Sequence, residues 1–283
     1  MNVLKLGNKT FDLEKRTLVM GILNVTPDSF SDGGQYLSAD TAVEHAMLMK
    51  QQGADVIDIG GESTRPGAES ISLEEEMNRV LPVIEQLVGT IGIPLSIDTY
   101  KSDIARKALD LGVDMVNDIS ALRSDTKLAE IVAEYDVPIC LMHMKGKPRN
   151  MQINPAYDDV VKEICDFLKK RADHALSCGI KKEKLIIDPG LGFGKRTGKG
   201  IEDNCEILHR LSELKSLGFP IMTGASRKTF IGNVCSDSLQ VSERLEGSLA
   251  AACIAVMNGA DIVRVHDVKE TRQCVDLVDH VGR

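Results

Sequence analysis

The sequence predicts an α/β chain folded as one (β/α)8 barrel, the TIM-barrel arrangement, with a short N-terminal extension or hairpin. Three observations lead there. Eight short runs rich in β-branched residues end in a polar residue or glycine, at 18–24, 56–60, 94–98, 115–118, 138–143, 185–188, 220–224 and 262–266. Each run is followed by a stretch of helical period. No Gly/Pro/Ser-rich linker divides the 283 residues, so 1–283 reads as a single domain. Eight strand–helix units in a chain of this length suit a closed parallel barrel better than an open doubly wound sheet.

Residues 1–16 precede the first unit and read as a hairpin closing the bottom of the barrel. Ser72 followed three residues later by Glu75 is a capping-box pattern, and Leu73, Met77, Val80 and Ile84 then share one helical face. Segments 102–111, 125–135, 157–177, 205–217, 241–258 and 270–281 carry similar periodicity. Gly53, Gly112, Gly179, Gly218 and Gly259 stand where helices close. Gly-Ala-Asp or Gly-Val-Asp recurs at Gly53, Gly112 and Gly259, marking one helix-to-strand turn used repeatedly.

Composition narrows the function. The chain has a formal net charge of -8, is 43% hydrophobic and 4% aromatic, and holds 24 Gly, 9 Pro and no Trp. That excludes a disordered chain. The longest uncharged apolar run, 249–257, is far shorter than the ~20 residues of a membrane span, and the charges scattered through 1–16 do not make a signal peptide. An acidic chain with few aromatics lacks the basic stripe of a nonspecific nucleic-acid binder. The seven cysteines, at 140, 165, 178, 205, 235, 253 and 274, are widely spaced with no CxxC pair. They read as thiols in a reducing cytoplasm, not as a disulfide or zinc framework.

Barrel enzymes carry their sites on the C-terminal ends of the strands. Here those ends and the loops after them collect Asn24, Asp58, Asp98, Asn117, Asp118, His143, Asp188, Ser226, Arg264 and His266. Side chains alternate along a strand, so Arg264 and His266 share one direction, and Asn117 rather than Asp118 faces inward. Arg65, Arg264, His266 and the 226–228 turn suit phosphate or carboxylate oxygens, the turn through backbone N–H groups at a helix start. Asp98, Asn117 and Asp188 suit the donor edge of an amino-pyrimidine. Asn24 offers a neutral oxygen to a magnesium ion carried by phosphates. Other readings stand beside these. Asp118 and Asp267 suit helix capping, and His143 suits a satisfied supporting role more than ligation. Arg227 with Lys228 reads equally as a solvated pair, and Lys195, Arg196 and Lys199 as a solvated basic loop. The glycine spacing at 190–194 does not by itself separate phosphate cradling from a tight turn.

Six stretches resemble the dihydropteroate synthase family of pterin-binding enzymes, the sulfonamide targets of folate biosynthesis. They are Asn24-Val-Thr-Pro-Asp-Ser-Phe-Ser-Asp-Gly-Gly, Gly60-Gly-Glu-Ser-Thr-Arg-Pro-Gly, Ser96-Ile-Asp-Thr, Asp188-Pro-Gly-Leu-Gly-Phe-Gly-Lys, Gly224-Ala-Ser-Arg-Lys and Arg264-Val-His-Asp-Val, in order from about residue 18 to the end. The resemblance implies a transferase that condenses 6-hydroxymethyl-7,8-dihydropterin diphosphate with 4-aminobenzoate, giving 7,8-dihydropteroate and diphosphate with Mg2+. It implies that Asp98, Asn117, Asp188 and Lys228 hold the pterin between Met142 and Phe193. It assigns Thr64, Arg65, Arg264 and His266 to the diphosphate and Asn24 to the metal. Phe30, Pro66 and Ser226, with Arg65, would then form the aminobenzoate pocket, with Asp98, Arg65 and Lys228 carrying catalysis. Loops 25–36 and 62–72 would close over the diphosphate, and a homodimer would form through the late helices, where Ser248-Leu-Ala-Ala-Ala-Cys permits close packing. One stretch departs from the family pattern: 196–203 lengthens the loop between Lys195 and the helix-opening Asn204. The alternatives are a methyltetrahydrofolate–corrinoid methyltransferase on the same barrel and a noncatalytic pterin-binding paralogue. The first gives no reason for the Ser-Arg-Lys turn.

Overall fold

The computed structural model describes residues 3–26, 39–65, 67–198, 200, 202–236 and 239–282. Strands β1 (Val3–Leu6) and β2 (Lys9–Asp12) pair antiparallel, with Val3 opposite Asp12 and Leu6 opposite Lys9. Eight parallel strands follow: β3 (Leu18–Asn24), β4 (Val56–Gly60), β5 (Leu95–Asp98), β6 (Met115–Asp118), β7 (Ile139–Met142), β8 (Leu185–Asp188), β9 (Met222–Thr223) and β10 (Ile262–Val265). Their order is β8-β7-β6-β5-β4-β3-β10-β9. A parallel bridge of Ile187 to Ile221, with Ile187 N–H donating to Pro220 O at 3.0 Å, joins the first strand of that list to the last and nearly closes the barrel.

Helices α1 (Ala39–Gln51), α2 (Leu73–Leu87), α3 (Ser102–Leu111), α4 (Lys127–Tyr135), α5 (Val160–Ser177), α6 (Asp203–His209), α7 (Thr229–Cys235), α8 (Leu245–Met257) and α9 (Val268–Gly282) lie between and after the strands. Ser72 caps α2 by accepting from Glu75 N–H at 3.1 Å. Val80 and Ile84 of that helix are buried, but Leu73, in its first turn, is exposed and leaves the expected face. The helix expected over 205–217 is broken. Its second half, Leu211–Leu217, is a 3-10 helix, and Arg210 at the junction pairs with Asp159, Glu206 and Glu213. Helices α1 and α7 are the two that periodicity did not delimit.

Alternation sorts every strand. Val19, Ile57, Ile97, Val116, Leu141 and Val263 face the helices in one large core cluster. Leu18, Met20, Val56, Met115, Cys140, Ile186, Met222 and Ile262 fill the lower lumen together with Leu4, Leu6 and Leu13. The hairpin therefore plugs the bottom of the barrel, as the sequence suggested.

The repeated Gly-Ala/Val-Asp turn works the same way three times. Its glycine takes a left-handed φ of 101° at Gly53, 110° at Gly112 and 103° at Gly259. Its aspartate then clamps the neighbouring strand with both main-chain and side-chain atoms. Asp55 accepts Val19 N–H at 2.9 Å, Asp114 accepts Leu95 N–H at 3.0 Å and Asp261 accepts Ile221 N–H at 2.9 Å. Each aspartate returns its own N–H to the same residue's carbonyl, at 2.8, 2.9 and 2.8 Å. Such buried strand-end donors would otherwise lack partners. Residue 17 is tied to the last helix likewise, Asp279 accepting both Thr17 N–H at 2.8 Å and Thr17 Oγ1 at 2.7 Å. No helix among the described residues is long and apolar enough to cross a membrane.

If the hairpin is part of the core, Leu6→Ala should lower unfolding free energy by about 2–5 kcal/mol, the range for deleting a fully buried leucine side chain. Chemical denaturation measures it, and a loss near zero would show that the hairpin is an appendage.

Candidate active site

Above the apolar plug the inward positions turn polar. Asp58, Ser96, Asp98, Asn117, Asp188 and Arg264 follow the same alternation as the buried apolar residues beneath them. Arg264 spans the lumen, donating from Nε to Asp58 Oδ2 at 2.6 Å and from Nη2 to Asp98 Oδ2 at 2.7 Å. Asn117 Nδ2 donates to the same Asp58 oxygen at 2.9 Å. Asp118 faces outward and accepts Ser120 and Leu122 N–H groups at 2.7 and 2.6 Å, so it fixes the turn after β6 and does not cap α4, which begins at Lys127.

Burial dominates the electrostatics. It pushes the Asp98 carboxyl up to about 7, with the charges of Asp58, Glu76 and Asp118 adding to the rise and Arg264 opposing it. Asp188 is raised for the same first reason, with Lys228 opposing. Burial also pulls the Lys228 ammonium down to about 8, Asp188 and Asp98 opposing and Arg264 adding. For Arg264 burial acts downward, but Asp58 and Asp98 outweigh it and hold the guanidinium protonated. Two buried oxygens in this layer, Asp58 Oδ1 and Ser96 Oγ, have no hydrogen-bond partner among the described residues. Orphaned buried acceptors are uncommon and point to groups that a ligand or water completes.

The loop after β8 supplies one wall. Asp188 Oδ1 accepts Gly190 N–H at 2.6 Å, and Asn204 Oδ1 accepts Gly192 N–H at 2.7 Å. Gly190 has φ 69°, and a Cβ there would lie 1.9 Å from His143 O; at Gly192, with φ 79°, a Cβ would come within 2.9 Å of Lys228 Cδ. Only glycine fits either place. Lys228 donates to Leu191 O and lies 4.5 Å from the centre of the Phe193 ring. Met142, with Ile119, Met144 and Met151, forms a small apolar cluster against which Phe193 and Tyr100 pack. A cavity of about 670 Å³ continues from Ile119 and Met144 toward Arg123 and Arg149. None of the lumen carboxylates lines it, so it adjoins the polar centre without being it.

Several basic residues differ from the solvated reading. Lys195 is fully buried, donating to Gly190 O at 2.8 Å and Phe193 O at 3.0 Å and meeting His143 Nδ1 at 3.0 Å. His143 is thus a satisfied interior residue. Arg196 pairs bidentately with Asp203, Nε donating to Oδ2 at 3.0 Å and Nη2 to Oδ1 at 2.8 Å. Asp203 N–H also donates to Arg196 O at 3.1 Å and Arg196 N–H to Asp203 Oδ2 at 2.7 Å, so the loop has a pinched base and Asn204 keeps its place at Gly192. Lys199 lies outside the described residues. Arg227 forms a fork with Asp267, at 3.0 and 2.5 Å, so neither is simply a solvated or a capping group.

At the opposite side Ser226 Oγ lies 2.9 Å from His266 Nδ1 and accepts His266 N–H at 3.2 Å. His266 is held down to about 3 by burial, then by the charges of Arg264, Arg227 and, among others, Arg65. It is therefore a neutral hydrogen-bonding group at pH 7, not a cation. The backbone cradle expected of the 226–228 turn is corrected in part. Arg227 N–H goes to Ser248 Oγ at 2.9 Å and Lys228 N–H to Ala225 O at 3.2 Å, inside the fold. Arg65 is exposed and Thr64 half-buried in the loop after β4. Asn24 ends β3 beside Gly60, where a Cβ would sit 3.8 Å from Asn24 Oδ1 and 3.6 Å from Asp98 Oδ2. Phe30 and Pro66 lie outside the described residues, as does 27–38 of the first long loop.

The structure thus brings Asp98, Asn117, Asp188, Lys228, Met142, Phe193, Arg264, His266 and Ser226 to one barrel mouth. It gives roles to two residues that the sequence left without one in the site, Asp58 as a strand-end acid with no stated partner and Lys195 as part of a solvated loop. Asp58 holds Arg264, and Lys195 holds the glycine-rich turn. Alternation along β4 was signal enough for Asp58. Nothing in the sequence marked Lys195 as buried.

Among the described residues no group of three or more His, Cys, Asp or Glu could hold a metal by itself. Beside Gly60 stand the neutral amide oxygen of Asn24 and the Asp98 Oδ2 that already accepts from Arg264, a sparse oxygen set that suits a magnesium ion that arrives with phosphate oxygens and keeps most of its waters.

A sequence model of the family described as "Pterin binding enzyme" matches residues 20–266. The chain is 47% identical over 280 residues to the dihydropteroate synthase of Synechocystis sp., covering 99% of this chain and 95% of that one. A crystal structure of the Yersinia pestis dihydropteroate synthase in a sulfonamide drug complex superposes with a TM-score of 0.92 at 44% identity, covering 99% of this chain and 98% of that one. The Xanthomonas albilineans dihydropteroate synthase in complex with 7,8-dihydropteroate superposes with a TM-score of 0.86 at 42% identity, with the same coverage of 99% and 98%.

Proposed function

The chain belongs to the pterin-binding enzyme family and to the dihydropteroate synthases within it, and from that premise we propose how its own residues carry the condensation of 6-hydroxymethyl-7,8-dihydropterin diphosphate with 4-aminobenzoate. The carrying observation is the polar lumen itself: Asp98, Asn117 and Asp188 ring a space that Arg264 and Lys228 keep close to charge balance, with Met142 and Phe193 beside it. Carboxylates accept from the amino and ring N–H groups of the pterin, and the amide of Asn117 both donates and accepts. Lys228 donates to an acceptor on the same ring, and the two apolar side chains cover its faces.

The reaction breaks the bond from the pterin methylene to the diphosphate oxygen, which leaves with the bonding pair. The nitrogen of 4-aminobenzoate forms the new bond with its lone pair and then gives one proton to water or to the departing diphosphate. Positive charge gathers on the methylene and ring as the bond loosens. The Asp98 carboxylate stabilises that charge from the pterin side, while Arg65, Arg264 and the neutral His266 stabilise the departing diphosphate. An aromatic amine is largely unprotonated at neutral pH, so no base is needed to free its lone pair. Asn24 would hold magnesium together with the diphosphate oxygens, and the ion would supply further neutralisation of the leaving group. Ser226, Phe30 and Pro66, with Arg65, would receive the aminobenzoate, and sulfonamides would compete there as its analogues.

Two further properties belong to this reading. Helix α8 carries one acidic residue in its first turn and is otherwise without acidic or basic side chains; its Ala250, Ile254 and Met257 are exposed beside Leu277 and Val281 of α9. An all-round apolar helix wants its outer face covered, and a second copy of the chain placed there gives the homodimer. The small-residue run serves both sides, since Ser248, Ala251 and Ala252 pack inward and Ala250 outward. The cysteines are all free thiols, which fits a cytoplasmic setting.

Incubation with dihydropterin diphosphate and 4-aminobenzoate should release diphosphate and form dihydropteroate. Absence of product, with methyl transfer to a corrinoid acceptor instead, would overturn the assignment. Asp98→Asn should lower turnover by about 100- to 1,000-fold while binding of inorganic diphosphate stays near normal; near-normal turnover would remove Asp98 from its role. The pH profile of kcat/KM for the pterin substrate should rise through about 7 as Asp98 ionises and fall through about 8 as Lys228 loses its proton. Lys228→Arg should move only the alkaline limb upward. Met257→Glu with Leu277→Glu should convert the dimer to a monomer in sedimentation, whereas an unchanged species would place the interface elsewhere.

A further inference from the structure

The three residues that follow Asp98 are bound to a single pair of carboxylates. Thr99 Oγ1 donates to Glu76 Oε1 at 2.8 Å, and the Tyr100 hydroxyl donates to Glu62 Oε1 at 2.9 Å. The Lys101 ammonium takes the remaining oxygen of each, Glu62 Oε2 at 2.7 Å and Glu76 Oε2 at 2.6 Å, and gives its third N–H to Ile71 O at 2.9 Å. These partners come from different parts of the chain. Glu62 begins the loop after β4, Ile71 stands near its end, and Glu76 is buried on α2. Arg79, also on α2, adds a bond to Gly61 O at 2.8 Å.

One ammonium therefore ties both ends of segment 62–71 to the turn that leaves Asp98. Thr64 and Arg65 lie between those ends. An ammonium has three donors and here meets three acceptors, a match that a planar guanidinium does not reproduce. The site is also sheltered, with Lys101 and both carboxylates largely buried, so the ion pairs are weakly screened by solvent.

We propose that Lys101 is a positioning residue for the condensation: it holds loop 62–71 in the geometry in which Thr64 and Arg65 meet the diphosphate, and leaves the pterin cradle to the lumen residues. This rests on the assignment of Thr64 and Arg65 to the diphosphate end. Lys101→Met keeps the length of the side chain but removes the charge, so Glu62 and Glu76 lose the cation between them and the loop loses its tether. Glu62→Gln keeps a hydrogen-bond acceptor and removes one charge, so it should show the same effect in weaker form.

Wild-type diphosphate release is measured first, which separates a failure of the functional reading from a failure of this one. In Lys101→Met, kcat/KM for 4-aminobenzoate should fall about 10- to 100-fold, while affinity for 6-hydroxymethylpterin, which lacks the diphosphate, stays within about twofold. Cleavage at Glu69 by a glutamate-specific protease should accelerate in the same variant. A folded Lys101→Met protein with wild-type kinetics and unchanged cleavage overturns the proposal. So does a parallel fall in pterin affinity, which would place the effect in the lumen. If Lys101→Met fails to fold, the same measurements on Glu62→Gln decide, and normal kcat/KM there overturns it.

Discussion

The guanidinium of Arg264 is the constraint around which the site is organised. Asp58, Asp98 and Asp188 project into one lumen already sealed below by leucine and methionine. Carboxylates crowded in a low-dielectric interior repel one another and resist ionisation. Arg264 answers two of them at once, at 2.6 and 2.7 Å, and Lys228 opposes the rise at the third. A lysine at 264 would present one point charge where two acceptors must be met in fixed directions. Removing either partner of such a pair leaves an unpaired buried charge, typically about 3–5 kcal/mol unfavourable. Among the described residues Asp58 Oδ1 and, in the same layer, Ser96 Oγ have no hydrogen-bond partner. Stability is arranged around Arg264, and unused hydrogen-bonding capacity remains buried in the same layer.

That arrangement needs walls that do not shift. The barrel supplies them through backbone devices away from the chemistry. Asp55, Asp114 and Asp261 each lock a strand to its neighbour with a reciprocal pair of bonds. Buried Lys195 fixes the glycine-rich turn from beneath by capping two of its carbonyls. That turn in turn offers Leu191 O to Lys228 and brings Phe193 against it. Lys101 plays the corresponding part on the far side of the mouth. Two lysines thus hold the loops that border the polar lumen.

Much of this was legible in the sequence, for a definable reason. Strand side chains alternate with period two, so Arg264 and His266 must share one direction and Asn117 and Asp118 must face opposite ways. Barrel topology then placed all the strand ends at one mouth. Ser72 and the repeated Gly-x-Asp turns were likewise readable, because capping and left-handed glycine conformations are local. Pairings across the barrel were not. Whether Arg227 is solvated or bound to Asp267, 40 residues away, depends on which loops meet. The burial of Lys195 is of the same kind, and a lysine next to Arg196 in a lengthened loop carries the sequence character of solvent exposure.

The sequence by itself determined the fold class, the strand set, the inward-facing registry and the family, because each follows from short-range periodicity or from contiguous motifs. Only the tertiary structure decided which charges neutralise which. It gave Arg264 to Asp58 and Asp98, kept His266 neutral among cations, buried Lys195, and directed the Arg227 and Lys228 backbone donors into the fold. The physical reason is one of distance. Ionisation and hydrogen-bond choice are set within a few ångströms, and the groups that lie that close come from residues 206 positions apart at Asp58 and Arg264 and 262 apart at Thr17 and Asp279.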